Sequence, residues 1–184
     1  MARSAMNSIT RRIRNHVIPA TLMALSLVVL VYILNYVNYD ITVGIGASAI
    51  IFASFAGSAF LLFMVPRSRT ASIPRFAKSY AISCVLGVIG YYVVGIAGIY
   101  ATVALILFAT AMLLVITDSE HPPAMSIAFA FVLFRVSYVG IITVVVAAAV
   151  MIAIRVFLEK AVYIIEEDIE RVGSARNRRP AGRR

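Results

Sequence analysis

The chemistry this sequence offers is concentrated in eight residues, Thr117-Asp118-Ser119-Glu120-His121-Pro122-Pro123-Ala124. Two carboxylates and an imidazole stand there between two apolar runs, 101–116 and 125–134. A charge placed in hydrocarbon costs about 3 kcal/mol or more, so ionisable residues at such a position are candidates for a solute path or a proton site. His121 has the side chain suited to exchanging a proton near neutral pH. Asp118, three residues earlier, shares its face on a helical end and would favour the charged ring, whereas Glu120 points elsewhere. The other role open to His121 is a neutral cap that donates to a carbonyl of the preceding helix. Pro122 and Pro123 lack backbone donors and disfavour helix at the residue before them, so one helix must stop here and another begin. The new helix would start with unsatisfied amides turned back toward His121. A break of this kind survives in a bilayer only where it is packed in protein or lines a polar cavity.

The elements that must position this octet follow from composition. Of 184 residues, 62% are hydrophobic and only 14% charged, and mean hydropathy is +0.96. Soluble domains carry about 25% charged residues, so the chain reads as an integral membrane protein. The net charge of +9 sits at the chain ends and in one loop, which fits the positive-inside rule better than a nucleic-acid footprint. No Ser/His/Asp order, phosphate loop or metal-ligand spacing appears, so no enzyme, metal or cofactor is expected. Cys84 is the single cysteine and reads as a small hydrophobe.

Five long apolar runs are expected to span: 17–36, 41–65, 79–98, 101–116 and 139–158. A basic N-terminal segment, 1–16, precedes them. The second run is rich in small residues, the usual packing face of membrane helices. Ser54 and Ser58 lie four apart and so share a face. Residues 66–78 carry Arg67, Arg69, Arg75 and Lys78 with no acid, and read as a cytoplasmic loop. After the last span, 159–172 keeps a helical apolar stripe, and 173–184 reads as a disordered basic tail.

The N-terminus, the 66–78 loop and the tail are all basic, so all three are expected inside. That needs an even number of crossings, and five long runs give an odd one. The short helix after Pro123 must complete a crossing, which places the break at depth and Arg135 near the outer face. The expected architecture is an all-α, polytopic membrane helical bundle of five long spans plus a short broken helix. It is a multi-pass protein of the cell membrane with both termini cytoplasmic, in contact with the lipid bilayer and open to homo-oligomerisation. The stretches 55–60 and 123–128 each place a serine fourth, Ser58 and Ser126. They are either a chance match or an inverted repeat whose helix N-termini converge as an anion site.

His121-Pro122-Pro123-Ala124 after an apolar helix, with Ser54-Phe-Ala-Gly-Ser-Ala-Phe-Leu-Leu-Phe63 upstream, then Pro66 and Pro74-Arg75, resembles the HPP family of small integral membrane proteins. The resemblance covers residues 44–158. It implies a transmembrane HPP domain over 17–158 and, from plastid and cyanobacterial members, transport of nitrite. Similar sequences carry Gly-Gly-His after the Pro-Arg pair, where this chain has Lys78-Ser79-Tyr80-Ala81. The expected function is a transporter or channel for a small solute, an anion such as nitrite, with proton coupling. Its path would run past His121, Pro122, Pro123, Asp118, Glu120, Ser54, Ser58 and Ser126. The alternative is a non-transporting scaffold in which the acids pair with Arg135 or Lys78.

Overall fold

The computed structural model describes residues 17, 19–32, 45–136 and 139–177, with 45–47, 139, 158 and 161–177 as backbone alone. The basic N-terminal segment and the last seven residues of the tail lie outside them. All regular structure among the described residues is helical. In chain order the helices are α1 (Pro19–Tyr32), α2 (Ile45–Ala59), α3 (Ile73–Ala97), α4 (Ile99–Ile116), α5 (Met125–Leu133) and α6 (Val139–Asn177). A π turn, Phe60–Met64, continues α2, and short 3₁₀ turns cover Arg69–Ala71 and Pro122–Ala124.

Among the described residues, three helices are long and apolar enough to cross a membrane: Ile73–Ala97, Ile99–Ile116 and Gly140–Phe157. The apolar helices Pro19–Tyr32, Ser48–Met64 and Pro122–Leu133 are shorter. The sequence reads five long spans; three reach that length here, and parts of the first two runs fall outside the described residues. Many large apolar side chains point outward, among them Ile96, Tyr100, Phe108, Ile116 and Phe157. A helix apolar on its outer face as well as its inner one is suited to lipid.

α3 starts at Ile73, six residues before the expected boundary, so Arg75 and Lys78 belong to its first two turns rather than to a loop. Pro74 permits this, because the first turn of a helix has no intrahelical partner for the donor that proline lacks. At its far end α3 passes to α4 through Gly98 alone, whose φ of 76° is the left-handed conformation glycine adopts without penalty. The two helices form an antiparallel hairpin: Gly90 and Ile106, equally distant from Gly98, touch.

α5 packs into the angle of that hairpin. A Cβ on Gly87 would lie 2.8 Å from Phe131 Cβ, and one on Gly90 would lie 2.4 Å from Val132 Cγ2. The backbone of α3 therefore approaches α5 more closely than any side chain would permit. Phe131, Val132, Ile127 and Ala128 are fully buried beneath it. α6 packs alongside α3, and residues of both, among them Tyr80, Cys84, Val144 and Ile152, line a groove of about 440 Å³. α6 continues as one helix through Gly173 to Asn177. Each residue added to an existing helix gains a hydrogen bond without a new nucleation cost.

Candidate functional site

The octet lies at the end of the bundle that carries the basic turn. α4 closes in a Schellman motif: Ser119 N–H donates to the Leu114 carbonyl and Asp118 N–H to that of Val115. The motif needs a left-handed residue, and Asp118 fills the place with φ 52°. Aspartate is among the few side chains tolerated there. The same turn is made at the end of α5, where Arg135 has φ 51° and Val136 N–H donates to the Phe131 carbonyl.

Asp118 is exposed, and its carboxylate binds both Arg69 and Arg75. Arg75 Nε also donates to the Asp118 carbonyl at 2.9 Å, and Lys78 Nζ donates to the Thr117 carbonyl at 3.3 Å. Arg75 and then Arg69 hold the Asp118 carboxyl below the usual carboxylate range. The expected partners of the acids, Arg135 and Lys78, are therefore not those of Asp118. Lys78 reaches the break only through a carbonyl, and Arg135 lies elsewhere, 5.8 Å from the ring of Tyr91.

A depressed aspartate pKa stabilises the fold at pH above the ordinary value near 3.9, and that stabilisation is lost as pH falls through the lower folded value. The pair is exposed, so the effect is modest and screened by salt. Asp118→Asn keeps a residue that tolerates left-handed backbone and removes only the charge. It should raise amide hydrogen exchange across residues 66–72 at neutral pH, less so in high salt. Unchanged exchange would remove the clamp from the account.

His121 lies on the other side of the break and is completely buried. Its φ of −139° and ψ of 89° are extended, as the residue before a proline requires. Its ring meets Phe76 at 85° with centroids 5.3 Å apart. Nδ1 donates to the Thr70 carbonyl at 2.8 Å, and Nε2 lies 2.7 Å from Ser58 Oγ. Ser58 Oγ is 2.8 Å from the Tyr80 hydroxyl, which is 2.9 Å from Ser54 Oγ. Ser54 Oγ in turn donates to the Pro123 carbonyl at 2.5 Å. Five contacts thus link α2, the Arg69–Ala71 turn, α3 and the break into one buried chain. Burial pushes the imidazole below the ordinary histidine value, and the Thr70 carbonyl opposes that shift.

This geometry revises several expectations. The His121 ring lies between Phe76 and Tyr80, within the first two turns of α3, its centroid 5.3 Å from that of Phe76 and 6.0 Å from that of Tyr80. The break therefore has an exposed lip at Asp118 and a buried floor at His121, rather than lying wholly at depth. The amides after the proline pair are not free: Ala124 N–H donates to the His121 carbonyl, and that of Met125 goes to Pro122 and Pro123. The 55–60 stretch is helix interior, so no pair of helix N-termini converges on an anion site. Small residues there serve packing, since a Cβ on Gly57 would lie 3.3 Å from Pro123 Cγ. Of the expected residues, Ser54, Ser58, His121 and Pro123 come together. Pro122 is exposed, while Glu120 and Ser126 are half-buried outside the chain.

Thr70, Tyr80, Arg69 and Arg75 were not among the expected site residues. Tyr80 had a signal, since a hydroxyl within an apolar helix must find a partner. Thr70 had none, because only its backbone carbonyl takes part. Neither the curated proteins nor the solved structures contain a match to this chain. The family model described as HPP, transmembrane region, matches residues 10–164, well over half the chain. With its His-Pro-Pro break built into the buried polar chain, this membrane protein belongs to the HPP transmembrane family.

Proposed function

We propose that the chain is a multi-pass transporter or channel for a small solute, with the His121 break as its gate. In this reading the first two apolar runs complete spans of their own and both termini are cytoplasmic, as the basic landmarks favour. Homo-oligomers are part of the same reading; enzymatic turnover is not. The observation that carries it is the buried chain from Thr70 to Pro123. An apolar bundle has no packing need for three hydroxyls and an imidazole, and polar groups within membrane segments commonly mark solute paths. Direct contact between Ser58 and His121, and between Ser54 and Pro123, is how a closed gate is built. Arg69, Arg75 and Lys78 outnumber Asp118 and Glu120 at the lip, which favours an anion, and nitrite is the first to try.

The competing reading is a scaffold, and one observation favours it: each polar atom of the chain ends on another protein group rather than on a cavity. Uptake into proteoliposomes separates the two. Transport predicts nitrite flux well above that of empty vesicles, lost when Pro122 and Pro123 are both replaced by alanine in protein that still folds. The scaffold predicts no flux for nitrite or other small solutes and only a drop in thermal stability for the double variant. A reporter after Arg184 that responds solely from outside would overturn the orientation.

A further inference from the structure

The buried chain is one proton short. Its five contacts each need a hydrogen between the two heavy atoms, and both ends, the carbonyls of Thr70 and Pro123, can only accept. Ser54, Ser58 and Tyr80 bring one hydrogen each, and a neutral imidazole brings one more. Four hydrogens cannot fill five contacts. Working inward from Pro123, Ser54 must donate to its carbonyl, so Tyr80 donates to Ser54 and Ser58 to Tyr80. Ser58 is then an acceptor toward Nε2, while Nδ1 already donates to Thr70. Every contact is filled only when both ring nitrogens carry hydrogen.

We propose that this chain is a proton-binding site, in which one proton taken up by His121 completes a continuous run of donors from the imidazolium to Pro123. No bond other than N–H forms, and the hydroxyls only fix their direction. The proposal rests on this geometry and not on the transport reading. The groups around the ring leave the proton's position to the chain. Asp118 is engaged by Arg69 and Arg75, Lys78 donates to a backbone carbonyl, and Glu120 is the adjoining acid. From α3 the ring faces Phe76 and Tyr80, with Cys84 a turn beyond. α2, α4 and α5 carry no charged residue, and α6 has none before Arg155. Burial opposes the charge and the unfilled contact favours it, so the proton is held reversibly.

The count makes a distinctive demand: cutting the chain anywhere removes the shortage. With Ser54→Ala, three contacts remain for three hydrogens, and neutral His121 is fully satisfied. The same holds for Tyr80→Phe. The test is nitrogen-15 NMR of the imidazole against pH in protein carrying His16→Gln, which leaves His121 as the sole histidine. Ser54→Ala, which touches His121 nowhere, should move the titration midpoint down by about one pH unit, the size expected for one unmet hydrogen bond. Tyr80→Phe should do the same, and Ser126→Ala should leave the midpoint in place. Should one of the first two fail to fold, the other carries the test alone. A midpoint that moves with Ser58→Ala, the direct neighbour, but stays put with Ser54→Ala and Tyr80→Phe would overturn the proposal. So would an imidazole that never titrates between about pH 4 and 8.

Discussion

Gly87→Val should lower the thermal unfolding midpoint in detergent by roughly 10 °C, corresponding to about 3 kcal/mol. Even the first added carbon would stand 2.8 Å from Phe131 Cβ and 3.3 Å from the backbone of Ala128. Neither neighbour can yield. Phe131 is fully buried between α3 and its surroundings, and Ala128 Cα belongs to the backbone of α5. Relief would require α5 to move away from α3. Its start is tied to α2 through Pro123, so the strain would reach the break. Gly95→Ala is the control. Nothing lies within 4 Å of the added carbon, and loss of backbone freedom in the unfolded chain should leave stability unchanged or slightly raised. Equal effects at the two glycines would mean that the α3–α5 approach is not what holds the bundle together.

His121→Leu should also be damaging, through a different route. The leucine fills the space but meets neither the Thr70 carbonyl nor the Ser58 hydroxyl, both held against it by the fold. Ser58 keeps its bond to Tyr80, but the buried Thr70 carbonyl is left without its partner, which costs about 1–3 kcal/mol. The loop that carries Thr70 should loosen as well, visible as faster hydrogen exchange. His121→Asn offers an amide donor near the place of Nδ1 and should recover part of the loss. Under the transport reading His121→Leu also ends flux. A leucine variant as stable as the parent would show that the imidazole contacts add little to the fold, and with them would go the gate.

The sequence by itself determined the class of the molecule and the place of its centre. Apolar composition and run length require helices in a membrane, because every backbone group must pair within its own segment there. Pro122 and Pro123 fix a helix break wherever they occur, since the missing donors and the clash with the preceding residue are local. Ser54 and Ser58 share a face by helical period alone.

Only the tertiary structure decided who meets whom. That Asp118 binds Arg75 depends on α3 beginning at Ile73, which turns a supposed loop residue into a helix residue aimed at the break, while Arg69 reaches it from the turn before. Lys78 and Arg135 were equally plausible partners by sequence, because charge has no direction until the backbone gives it one. Tyr80 enters the site because the close approach of α3 to α5 at Gly87 and Gly90 brings its level of α3 beside the break. The Thr70 carbonyl, like every backbone acceptor, is invisible in a residue's identity. Its partner is set by the path of the chain, and it is this one acceptor, with the carbonyl of Pro123 at the other end, that leaves the buried chain one hydrogen short.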